Sequence, residues 1–193
     1  MGSLLINIVI GIFIYLMVTG PEGLAERFQF INDNWTIYSG HWRAEFLIMI
    51  LVAIGAVYFA LQYKSIGWTI VAIGQFIILW TYPLMLGGYR NTPFELASMA
   101  NQMAIITFNF GNLMFFTGLF LMYLKSEVLQ PWLRKVALIC SAILTILFFI
   151  IVIDVLEWKD VLMLAPLVNI MYLVNAFYGL KLDADPQFKV VTS

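Results

Sequence analysis

His41 and Glu45 stand four residues apart, a spacing that puts an imidazole and a carboxylate on one face of a helix. Histidine titrates near neutrality, and a neighbouring carboxylate fixes its orientation. Such a pair can handle a proton or hold a polar ligand, or it can serve only as an ion pair at a helix end. Arg43 lies between the two. A second group follows at Arg90 and Glu95. Thr92-Pro93-Phe94-Glu95 reads as a helix start, with Thr92 as N-cap, Pro93 at the first helical position and Glu95 at the third. That start leaves Arg90 unexplained, so Arg90 is available to Glu45, Glu95 or an anion. Asp154, three residues before Glu157, is a third ionisable position beside apolar sequence.

A polar line runs through Glu95, Ser98, Asn101, Gln102, Asn109 and Asn112, interrupted by Ile105. These positions share one broad helical face. Amides in hydrocarbon need partners, so the face is expected to look into a helix bundle. Asn169, Tyr172, Asn175 and Tyr178, with Gln75, are the expected partners. Asn109 and Asn112 in particular are predicted to pair near Asn169 or Tyr172. The line serves either as glue between helices or as the wall of a polar pocket.

The elements that position these residues are set by hydropathy. The chain has 193 residues, of which 63% are hydrophobic and 11% charged, and its mean hydropathy is +0.94. A soluble domain of this size could not bury so much apolar surface, whereas a bilayer accommodates it. A helix needs about 20 apolar residues to cross. Spans are predicted at residues 3–19, 45–61, 66–86, 98–124, 132–153 and 161–180, giving a single all-α polytopic membrane domain. The apolar runs are continuous rather than alternating, which excludes a membrane barrel. Between the first two spans, Leu24, Phe28, Ile31 and Trp35 form one apolar stripe. Residues 22–35 are therefore predicted as an amphipathic helix, lying on the membrane surface or capping the bundle.

With six spans, Lys64, Lys125, Arg134, Lys135, Lys181 and Lys189 fall on the side of the termini, against Arg27, Arg43, Arg90 and Lys159 on the other. The excess of basic residues predicts cytoplasmic termini. In that topology His41, Arg43, Glu45, Arg90, Glu95 and Asp154 share one membrane level. They are expected to rim the main cavity, with Arg43 or Arg90 ion-paired to Glu45, Glu95 or Asp154.

Several functions are excluded or unsupported by composition. A net charge of -1 without a dense basic run argues against nucleic acid as a partner. The one histidine and the one cysteine, Cys140, form no metal cluster, and Cys140 reads as a small core hydrophobe. No G-x-S-x-G, H-E-x-x-H or phosphate-binding glycine loop occurs. No catalytic residue and no cofactor is assigned.

The stretch from Gly118 to Arg134 carries a span, a short turn at Lys125-Ser126-Glu127 and then Pro131-Trp132-Leu133 opening the next span. With the six-span layout it resembles a bacterial integral membrane family, the domain of unknown function 4386. That resemblance implies a bacterial inner-membrane protein and brings no functional residues with it. The sequence thus favours a non-catalytic protein that binds a lipid or small polar ligand, or packs as an accessory subunit, with membrane lipids and other membrane subunits as partners. The competing reading is a small membrane enzyme or transporter built on the His/Arg/Glu/Asp cluster.

Overall fold

The computed structural model describes residues 1–156 and 165–184, and these are helical, with no strand among them. The connection holding Glu157, Trp158, Lys159 and Asp160, the first residues of the sixth predicted span, and the tail with Asp185 and Lys189 lie outside the described residues. The helices are α1 (Gly2–Thr19), α2 (Leu24–Asp33), α3 (Trp35–Tyr63), α4 (Ile66–Leu79), α5 (Thr81–Gly88), α6 (Phe94–Lys125), α7 (Pro131–Val152) and α8 (Ala165–Ala184). Four stretches, Trp35–Tyr63, Ile66–Gly88, Phe94–Lys125 and Pro131–Val152, are each long and apolar enough to cross a membrane.

The helix boundaries differ from the predicted spans for local reasons. α3 begins ten residues before residue 45, because Tyr38 and Trp42 continue its buried face beyond the apolar run. Residues 66–86 form two helices rather than one. Pro83 has no N–H for the Leu79 carbonyl and its ring crowds that group. The chain tightens there, and the Trp80 N–H bonds to the Ile77 carbonyl instead. α6 starts at Phe94 with Pro93 as its cap. Thr92 does not cap it, since the Thr92 hydroxyl turns back to the Arg90 carbonyl at 3.1 Å.

Neighbouring helices pair in the order α1, α3, α4, α6, α7, α8, and α8 returns to α1, so the six long helices form a ring. α4 and α6 are the most intimate pair. Gly67 faces Gly118 and Gly74 faces Gly111 across an antiparallel crossing, where the missing Cβ atoms let backbones touch. Inside the ring Phe115, Phe116, Leu119, Tyr123, Leu144, Phe148 and Met171 are sealed from solvent. Outside it, Leu47, Ile54, Phe76, Ile106, Phe110, Ile146 and Leu173 are exposed. An apolar exterior around a core holding Gln75, Asn109, Asn112 and Ser141 suits lipid as the surrounding solvent.

α2 caps one end. Its Phe28 and Ile31 are buried, while Leu24 at the start of the stripe stays exposed. Asn32 fixes the helix to the α5–α6 turn, donating to the Tyr89 carbonyl at 2.9 Å and accepting from the Asn91 N–H at 2.8 Å. Asn91 takes the left-handed conformation that the turn requires (φ 51°). Phe28, Trp35, Tyr38, Trp42 and Tyr89 close this end with edge-to-face and tilted rings at centroid distances of 5.1 to 6.0 Å.

Candidate functional site

Beneath this aromatic cap lies an acid inside the ring. Glu45 and His41 do share a face of α3, with Nε2 to Oε2 at 3.7 Å and side chains 13% and 6% exposed. The contact becomes an ion pair when the imidazole carries its second proton. The kink at Trp80 brings α5 over α3, which sets the Tyr82 side chain beside the Glu45 carboxyl. Tyr82 also packs against Phe46 at 5.5 Å. From α8, Tyr172 reaches across the ring. Its ring stacks on Phe115 at 5.2 Å, its hydroxyl lies 4.0 Å from the Met49 sulfur, and Gln75 and Glu45 are both close by. Gln75 is fully buried. Its amide lies at the Tyr172 hydroxyl, yet neither amide atom makes a hydrogen bond of good geometry.

The six predicted mouth residues do not converge. His41 and Glu45 come together, but Arg43 and Arg90 are exposed and neither pairs with a carboxylate. Arg90 instead sits over the Trp35 ring at 5.8 Å. Exposure decides this: a guanidinium in water gains little from a distant carboxylate and can stack on an aromatic face at no desolvation cost. Glu95 is exposed near the start of α6. Asp154 is exposed too, and its left-handed φ of 61° ends α7.

The polar line of α6 divides in two. Glu95, Gln102 and Ile105 are exposed, contrary to a wholly inward face. Asn101 is half-buried and accepts a 2.8 Å hydrogen bond from the Tyr89 hydroxyl, a phenol that burial pushes above its ordinary 10.0. Asn109 and Asn112 are buried as expected. For Asn112 the bond given by the amide nitrogen stays within α6 rather than crossing to α8. The Asn112 amide donates to the Phe108 carbonyl of its own helix at 2.8 Å, and the Asn169 amide oxygen has no hydrogen-bond partner. An amide on a helix always has the carbonyl four residues back within reach, so it is satisfied without a second helix.

A cavity lies elsewhere in the ring. It measures about 280 Å³ and opens at the opposite end, where α1 begins, between α1, α3, α4 and α8. Trp68 and Phe59 form an aromatic wall, Gly55 and Gly179 leave the space, and Asn175 supplies a polar wall. The Asn175 amide donates to the Ser3 hydroxyl at 3.3 Å, while its oxygen has no partner. None of His41, Arg43, Glu45, Arg90, Glu95 or Asp154 lines it. Of the residues around Glu45, Gln75 carried a signal in sequence, being the lone amide in the apolar run of α4. Tyr82 carried none, because a tyrosine near a span end reads as an interface anchor. No family model, curated protein or solved structure matches this chain.

Proposed function

We propose that this chain is a non-catalytic membrane protein that binds a small amphiphile, a lipid or part of one, in the cavity between α1, α3, α4 and α8. The observation that carries the reading is the Asn175 carbonyl oxygen, buried and unpartnered beside a cavity whose wall is aromatic and aliphatic apart from Asn175 and Ser3. A buried acceptor without a partner costs about 1–3 kcal/mol, and an amphiphile with a hydroxyl, amine or amide would satisfy it while its apolar part met Trp68 and Phe59. At about 280 Å³ the cavity suits a small molecule or the head of a larger one.

The same proposal includes six spans, with α1 and α8 crossing beside the four longer stretches, and both termini in the cytoplasm of a bacterium. The excess of Lys and Arg on that side supports this orientation, as the turn at Pro131-Trp132-Leu133 supports membership of the domain of unknown function 4386 family. An active alkaline phosphatase fused after Ser193 would reverse the orientation.

The test fills the cavity. A Cβ on Gly55 would meet nothing within 4 Å, so Gly55→Leu places a side chain in the space without strain. Mass spectrometry of protein released from native membranes is expected to show an adduct that Gly55→Leu loses while keeping its helicity. Retention of the same adduct, or no adduct in either protein, would overturn the reading.

A further inference from the structure

On three helices at once, a residue beside Glu45 stands one helical turn from the cavity, and Glu45 itself stands two turns away. On α3, Val52 lines the cavity and Met49 is one turn on, followed by Glu45. On α4, Val71 lines the cavity and Gln75 is one turn on. On α8, Asn175 lines it and Tyr172 is one turn on. Seven residues of α3 separate Val52 from Glu45, a rise of roughly 10 Å. Over that distance the inside of the ring carries Asn175, Gln75, Tyr172, Tyr82 and Glu45 in succession. Gln75 offers both amide atoms and Asn175 its oxygen without partners. A dry apolar core of the same volume would avoid these unsatisfied groups.

We propose that Glu45 is a proton-binding site at one end of a buried polar route that leads through Tyr82, Tyr172 and Gln75 towards the Asn175 cavity. The groups that face Glu45 limit what can neutralise it. On its own helix these are His41 at 3.7 Å and Arg43, which is turned outward. From α5 there is Tyr82 and from α8 Tyr172. α1 and α4 contain no charged side chain, and Arg27 of α2 is engaged by the Pro21 carbonyl. Among the described residues no lysine or arginine is buried inside the ring, so a carboxylate in this layer is balanced by one proton, carried on His41 or on Glu45 itself. Proton transfer balances simply. The His41 Nε2 proton passes to Glu45 Oε2, closing a 3.7 Å gap by side-chain rotation or through one water, and the imidazole is left neutral. Onward movement uses the Tyr82 and Tyr172 hydroxyls, each giving one proton as it receives another, and water held by the Gln75 amide. A proton needs no preformed cavity at Glu45.

The full chain is reconstituted in vesicles of phosphatidylcholine and phosphatidylglycerol. Infrared difference spectra between acidic and alkaline buffer report protonated carboxyls, and a trapped pH-sensitive dye reports proton entry. A carboxyl band that titrates in the wild type is expected to vanish in Glu45→Gln and to persist in Glu95→Gln. Gln75→Leu and Tyr82→Phe keep the acid and should shift that band, and Gln75→Leu should slow proton entry several-fold. These two variants carry the test if Glu45→Gln does not fold. The proposal is overturned by a band unmoved in both, by proton entry equal in wild type and Gln75→Leu, or by displacement of the titration with sodium, which would make the site one for a metal cation. None of these readouts depends on whether the cavity holds an amphiphile.

Discussion

Gly74 and Gly111 meet backbone to backbone where α4 crosses α6. A Cβ built on Gly74 would stand 2.5 Å from the Phe115 nitrogen and 2.7 Å from the Gly111 carbonyl oxygen. Those neighbours are main chain and cannot rotate away. Gly67 and Gly118 repeat the relationship seven residues along each helix, at the other end of the crossing. The separation of α4 from α6 therefore sets how far Gln75 protrudes into the ring.

Gly74→Ala is expected to force the helices apart, costing about 1–3 kcal/mol as overpacking does. Gly11→Ala is the contrast, since a Cβ there meets nothing within 4 Å. That substitution should be neutral or stabilising by up to ~1 kcal/mol. Thermal unfolding of both variants in the same detergent checks the pair. Equal melting temperatures would show that the crossing is not tight.

Asn32→Ala removes both hydrogen bonds that tie α2 to the Tyr89–Asn91 turn. A loss of about 1 kcal/mol per bond is expected. The effect should be local: amide hydrogen exchange should quicken across Leu24–Asp33 and stay unchanged in α7. Exchange that rises equally in both helices would show that α2 is not an independent cap.

Tyr89 lies outside the spanning stretches, and burial raises its phenol above 10.0. The unfolded chain then releases the proton first as pH rises. Stability from this group is complete below pH 10 and is lost above it, up to the folded value. Tyr89→Phe should cost about 1 kcal/mol at pH 7 through the lost bond to Asn101. It should also flatten the fall in stability above pH 10. Denaturation curves in alkaline buffers that keep the wild-type slope would contradict this.

Arg134 explains part of the turn that opens α7. Its guanidinium donates from Nε to the Tyr123 carbonyl at 3.0 Å and from a terminal nitrogen to the Leu124 carbonyl, capping the end of α6. Lysine keeps the charge but cannot make the fork. Arg134→Lys is expected to cost about 1–2 kcal/mol, less than for a fully buried pair because one bond is exposed. Chemical denaturation measures it, and an unchanged midpoint would deny the cap its role.

Much of this was legible from residue order because it depends on neighbours in sequence. Apolar runs marked the long helices, and the stripe through Phe28 and Ile31 announced α2. The four-residue spacing of His41 and Glu45 placed them on one face, since helical geometry alone decides that. What else meets Glu45 was set by tertiary structure. Pro83 breaks the third apolar run and tips Tyr82 over α3, while the glycine crossing fixes the depth of Gln75. Arg90 was expected beside a carboxylate because both fell at one membrane level, but level says nothing of rotation about the helix axis. Trp35 was nearer. Asn112 turned to its own helix for the same reason, an acceptor four residues back being always present. The cavity had no signature in sequence at all, because it is the space left where α1, α3, α4 and α8 fail to fill the ring.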